Sequence, residues 1–371
     1  MRFDINDYDL GCRIFSIAFC ENVLDLLLEK NLKAALMTDA GLIFYPEKRI
    51  FTLTKENREK LAICENYDVL FINDEGNGYV HFANENDDNP LILTQKCNSN
   101  CLMCPTAEVI RRKEDGLNID YTIESIRYIP NDARHLTITG GEPFLVKEKI
   151  FDLLSEIKTR LPYTECLLLT NGRALGYKPY ADKFAELSPK KIIIGIPLHG
   201  YNSETHDRIT QSKGGFMQTV SGIKNLIYRG FNVEIRLVVS KLNYRYIDKI
   251  AELIVNEFPK VGSVKIMGLE MSGNAARNVD DVWIPYPTAF EHSKSAITKL
   301  VSNGINVGLY NFPLCAVGRS FHLLCAKSIT GYKIRFAEKC EECKKRENCG
   351  GIFAGTIRLA GKDVIPWREN D

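Results

Sequence analysis

From residue 91 onward one pattern recurs: a short unbroken run of aliphatic and β-branched residues, a loop, then a helix-length amphipathic stretch. The runs are Leu91–Thr94, Leu136–Thr139, Cys166–Thr170, Ile192–Leu198, Val233–Val239 and Val264–Leu269, with stretches such as Val146–Leu161, Met217–Arg229 and Tyr246–Glu257 between them. Strands apolar on both faces belong to a parallel sheet covered by helices. Right-handed crossovers wind six such units into a partial (β/α)6-type TIM barrel, so the fold class is α/β. That architecture gathers its functional groups beyond the carboxyl ends of the strands. The loops that fall there are Cys97–Cys104, Gly140-Gly141-Glu142-Pro143, Asn171-Gly172, His199-Gly200, Ser240–Asn243 and Glu270.

Two flanks differ from this core. Residues 1–88 read as a small α+β N-terminal domain, with Phe15–Phe19 and Lys33–Met37 as short strands or helix pieces. Gly41–Tyr45 and Tyr67–Ile72 are strand-like, and Gly76-Asn77-Gly78 turns into Tyr79–Phe82 as a hairpin. The domain serves either substrate docking or capping of the barrel. Asn84–Pro90 is a linker by composition. The barrel takes residues 89–304, and 305–371 form a cysteine-rich extension in which Ile305–Tyr310 is a candidate further strand.

A formal net charge of +1 gives no general reason to expect nucleic acid or an anionic membrane as partner. No apolar run approaches the roughly 18 residues of a membrane span. The first residues carry two acids and no apolar core, unlike a signal peptide. The expected location is therefore the cytoplasm, where twelve cysteines are better read as metal ligands or redox groups than as disulfides. Cys12, Cys20, Cys64 and Cys166 stand alone and read as small core residues.

Cys97, Cys101 and Cys104 place three thiols in eight residues directly after the first strand. A four-iron cube needs four ligands, so a loop supplying three leaves one iron open, as a catalytic metal site keeps one position free. A structural zinc knuckle, or three reduced thiols packed together, is the alternative. Zinc sites usually add a second Cys pair or histidines, and no histidine lies near this loop. One unit later, Gly140 and Gly141 permit backbone geometry closed to other residues, and the Glu142 carboxylate beside them suits a bound ammonium. In the tail, Cys340-x2-Cys343-x5-Cys349 forms a compact three-ligand module that zinc would also accept if given a fourth cysteine.

The two strand-end motifs together closely resemble the radical S-adenosylmethionine (SAM) superfamily. The resemblance implies a 4Fe–4S cluster on Cys97, Cys101 and Cys104, with SAM chelated to the open iron. An electron then splits SAM into methionine and a 5′-deoxyadenosyl radical that abstracts hydrogen from substrate. It implies that Gly140, Gly141, Glu142 and Pro143 bind the SAM amino group, with Asn171 nearby. Arg236 falls where a polar fifth-strand residue reaches the cofactor, although an inward-facing ion pair explains a barrel arginine equally well. Met267 and Gly268 would approach adenine. Met103 stands where the family often has an aromatic residue, and its flexible thioether can still pack against adenine; Pro197 stands where many peptide-modifying relatives have a serine. His199 and His206 are candidate acid/base groups, a structural role being the commoner one for histidine.

The tail resembles the auxiliary-cluster extensions, of SPASM or twitch type, of radical SAM peptide maturases. This implies a second 4Fe–4S cluster on Cys340, Cys343 and Cys349 with Cys315 as fourth ligand, leaving Cys325 as a buried bystander, a hydrogen donor or a rival ligand. Residues 267–273, 309–315, 326–332 and 340–351 are similar to the HxsC-type maturases of the His-Xaa-Ser system. That likeness implies a ribosomally made peptide as substrate, a second radical SAM protein as partner, and an electron donor. A radical SAM enzyme of a small molecule or nucleotide, and a non-catalytic metal-binding module, are the alternatives.

Overall fold

The computed structural model describes residues 1–86, 89–113 and 117–368. Asp87 and Asp88, within the expected linker and at the end of the expected first domain, lie outside the described residues, as do 369–371 of the tail. The chain divides into two compact units. One holds Met1–Thr94, Gly116–Leu168 and Glu186–Ile192; the other holds Gln95–Asp115, Leu169–Ala185 and Ile193–Asp371.

The N-terminal segment of the first unit forms a seven-stranded sheet. Its strands are β1 (Arg2–Asp4), β2 (Arg13–Ala18), β3 (Ala34–Thr38), β4 (Gly41–Tyr45), β5 (Arg49–Phe51), β6 (Val69–Ile72) and β7 (Asn77–Phe82), in the order β1-β7-β6-β2-β3-β4-β5. Both segments with ambiguous patterns are strands, and β2 with β3 is the sheet's parallel pair. One face carries an aromatic core of Tyr8, Phe15, Phe44 and Phe51 with edge-on ring contacts. On helix Ile119–Ser125, Tyr121 packs edge-on against Phe71, and Ser125 Oγ lies 2.9 Å from His81 Nε2. The N-terminal sheet therefore packs against helix Ile119–Ser125.

The remaining strands make one eight-stranded sheet: β8 (Pro90–Ile92), β9 (His135–Thr139), β10 (Glu165–Leu169), β11 (Ile192–Pro197), β12 (Asn232–Val238), β13 (Ser263–Met267), β14 (Asn306–Tyr310) and β15 (Cys325–Ala326), in sequential order. The pairings β8–β9, β9–β10 and β11 through β15 are parallel. The candidate strand at 305–310 is β14. The two-residue β15 has no hydrophobic run to betray it. Alternation within β12 separates two faces: Val233, Ile235 and Leu237 are fully buried, while Glu234, Arg236 and Val238 share the other. No helix of the described residues is long and apolar enough to cross a membrane.

Candidate active site

In the first unit, β8 and β9 run side by side with Ile92 opposite Thr139, so their carboxyl ends lie together. The Gly140-Gly141 turn closes on the end of β8: the Gly141 N–H donates to Thr94 O at 2.8 Å. Gly140 has φ +155°, and a Cβ there would sit 2.4 Å from that same carbonyl oxygen. Only glycine allows this approach. Glu142 is 1% exposed and its Oε1 accepts the Phe144 N–H at 3.1 Å, capping the short helix Pro143–Val146. A buried carboxylate at a glycine turn suits a cationic ligand group.

In the second unit, the cysteine loop is held from four directions. Asn100 and Leu102 N–H groups donate to Thr210 O and Ile209 O, at the end of helix Ser203–Thr210, each at 3.0 Å. Arg111, 5% exposed, donates to Ser99 O (2.6 Å), Asn100 Oδ1 and Thr106 O. Arg173 donates to Asn98 O (2.8 Å) and Ser212 Oγ (2.6 Å). Asn274 Nδ2 reaches Asn100 Oδ1 and Cys101 O, its backbone N–H reaches Cys104 O, and Asn278 Nδ2 reaches Leu102 O. Gly273, at φ +55°, lets that segment approach: a Cβ there would lie 2.4 Å from Pro105 O. Nearly all these bonds end on loop carbonyls and amides rather than on sulfur, so they fix the path of the loop. Burial pushes the Cys101 thiol up to about 12; Cys104 and Cys97 add to the rise and Arg111 opposes it. The three sulfurs are thus close enough to feel one another's charge.

The other expected contacts are distributed as follows. Asn171 Nδ2 donates to Asn98 Oδ1 at 2.7 Å, so this residue touches the cysteine loop itself. Met103 is buried in a cluster with Ile209, Leu269, Met271, Ala275 and Val282, where it acts as a core residue under the loop. Arg236 donates from Nε to Glu234 Oε1 at 2.9 Å, and Lys265 Nζ lies 3.8 Å from Glu234 Oε2; the ion pair of the two sequence readings is present. Pro197 stands opposite Arg236 in register. Met267 shares its level with Tyr310, and the Gly268 N–H donates to Tyr310 O at 2.9 Å. His199 and His206 are buried and stacked with ring centroids 6.1 Å apart, and His206 Nδ1 accepts the His199 backbone N–H. Desolvation drives both far below the ordinary imidazole value, to about 3 and about 4, as buried structural histidines behave.

Four tail cysteines, Cys315, Cys340, Cys343 and Cys349, line one pocket. Leu314 and Gly351 N–H groups donate to Cys349 Sγ (3.3 and 3.4 Å) and the Trp367 N–H to Cys343 Sγ (3.4 Å). Burial pushes the Cys315 and Cys340 thiols up, and the backbone of Ile365 and of Ala337 opposes that rise. Such donors stabilise thiolates and tune clusters bound to them. Cys325 is outside the lining, and its Sγ donates to Phe321 O at 3.8 Å. Among the described residues no three His, Cys, Asp or Glu side chains close on the position of a single ion. A four-iron cube takes each thiolate at a separate corner rather than around one ion. The clamp residues Arg111, Arg173, Asn274 and Asn278 escaped sequence reasoning because they belong to no spaced motif.

Residues 91–254 match the radical SAM superfamily. The chain carries a radical SAM domain, and that family's cofactors are a 4Fe–4S cluster and SAM. Three curated relatives match part of it. The AdoMet-dependent heme synthase of Methanosarcina barkeri is 29% identical over 165 residues, covering 43% of this chain and 45% of that protein. The antilisterial bacteriocin subtilosin biosynthesis protein AlbA of Bacillus subtilis is 28% identical over 167 residues, covering 44% and 35%. The GTP 3′,8-cyclase of Paenarthrobacter nicotinovorans is 29% identical over 125 residues, covering 33% and 34%. The chain spans less than half the length of these relatives.

Proposed function

We infer that this protein is a radical SAM enzyme that modifies a ribosomally made peptide of the His-Xaa-Ser type, and that it works with two iron–sulfur clusters. Cys97, Cys101 and Cys104 hold the first, with SAM on the iron they leave open. Cys315, Cys340, Cys343 and Cys349 hold the second. The first would supply the electron for SAM cleavage; this chain's residues fix the loop, and Gly140, Gly141 and Glu142 would receive the cofactor's amino group. A second radical SAM protein and an electron donor are the partners. The observation that carries the reading is the pairing of a three-thiol loop clamped through its backbone with a pocket lined by four cysteines, two of whose sulfurs accept backbone N–H groups. A relative in bacteriocin biosynthesis supports a peptide substrate.

The match to a GTP 3′,8-cyclase supports a second reading, with a nucleotide as substrate. Anaerobically reconstituted protein is expected to hold about eight irons, four per cube, and to release 5′-deoxyadenosine when reduced with SAM. Co-expression with a His-Xaa-Ser-rich peptide should change its mass, or its deuterium content in D2O where only a stereocentre inverts. An unaltered peptide together with consumption of GTP transfers the assignment to the nucleotide reading. Zinc without SAM cleavage removes both.

A further inference from the structure

The segment Val364–Trp367 lies beyond every motif in the sequence, yet it lines the four-cysteine pocket. Its backbone supplies the Trp367 amide that donates to Cys343 Sγ at 3.4 Å. It is tied down by the Lys344 N–H, which donates to Trp367 O at 3.1 Å. The Trp367 ring is held from two sides: the Arg319 guanidinium stands 4.4 Å from its centroid and His322 meets it edge-on at 5.4 Å. His322 in turn contacts the carbonyls of Leu314 and Val317 with Nε2, both at 3.1 Å. One polar atom remains unexplained. Trp367 Nε1 is buried and has no hydrogen-bond partner among the described residues.

An indole nitrogen is a donor only, and a buried donor without an acceptor is costly enough that native structures rarely keep one. The residue that owns this atom lines a pocket shared by four cysteines, and its backbone N–H already donates to one of their sulfurs. A cube seated there brings bridging sulfides and thiolates, the missing acceptors. We propose that Trp367 completes the auxiliary cluster site, its indole N–H donating to a sulfur of the bound cube while the 364–367 segment seals the pocket. This rests on the second-cluster reading above. Donors to cluster sulfur favour the reduced, more negative state and raise the reduction potential. The residue thereby makes the second cluster a better electron acceptor; it takes no part in the bond-breaking itself.

The test uses the full chain with Cys97, Cys101 and Cys104 changed to alanine, so that iron in the tail is read alone. With Trp367 intact, this protein should hold about four irons, and [15N-indole]tryptophan labelling should give a 15N hyperfine coupling to the reduced cluster in pulsed electron paramagnetic resonance. Trp367→Phe keeps the ring and removes the donor. It should retain the irons, lose the coupling and titrate at a more negative midpoint. Iron present without 15N coupling in the Trp367 protein overturns the proposal while leaving the second cluster standing, however the Phe variant behaves. Zinc, or no metal, in the tail overturns both.

Discussion

The loop at 97–104 and the tail set at 315–349 both gather thiols, but they are held by opposite means. Around the loop, side chains from other parts of the chain grip backbone carbonyls and so fix the path the loop takes. Around the tail, backbone amides point at the sulfurs themselves. The first arrangement suits a site with one position kept open for an incoming molecule. The second suits a closed site whose ligands are tuned by the chain.

Four experiments break or sharpen this contrast. The largest effect should come from Cys97→Ala, Cys101→Ala or Cys104→Ala: 5′-deoxyadenosine formation is abolished, and iron falls from about eight to about four per chain. Cys343→Ala or Cys349→Ala should lose a similar amount of iron yet still cleave SAM, with the peptide product missing by mass spectrometry. If the tail variants also stop cleavage, the two sets are not separable and the contrast is wrong. Arg111→Ala removes a buried cation with three acceptors, and chemical denaturation of the apo-protein should show a loss of about 2–4 kcal/mol. An equal loss from Cys325→Ala would deny the loop its special clamp.

The smallest effect concerns acidity. Helix Ser203–Thr210, whose last carbonyls receive the loop, carries His206 against His199. Both are held neutral when folded, with values near 4 and 3. The unfolded chain takes up these protons first, so their contribution is complete above the ordinary imidazole value of about 6.5 and fades as pH falls toward 4. Apo-protein stability should decline by up to about 1.4 kcal/mol per pH unit for each histidine. A His206→Gln variant should show a flatter pH profile of unfolding midpoints; an unchanged slope would assign the pH dependence to other groups.

How much of this was legible depends on how local each signal is. The strands of the barrel are continuous apolar runs, and the cysteine and glycine motifs sit at their carboxyl ends, so both could be read directly. Arg236 could not be resolved because the carboxylate that pairs with it, Glu234, is two residues away on the same strand face, where either role fits. The packing of Met103 with Ile209, Leu269, Met271, Ala275 and Val282 could not be read from its motif because these neighbours come from far along the chain. Spacing alone left Cys315 and Cys325 as rivals. Their separation follows from a short turn that places one sulfur in the pocket and leaves the other donating to a carbonyl.

The clamp that holds the cysteine loop also sets an order of assembly. Asn278, the last residue of the loop's clamp, leaves the ribosome about 170 residues after Cys104, which at roughly 5–20 residues per second is on the order of 9–35 s later. The early thiols are exposed to solvent and scavenging metals throughout that interval, whereas the late ones acquire their wall almost as soon as they emerge. A cell making this protein must therefore guard the first site far longer than the second.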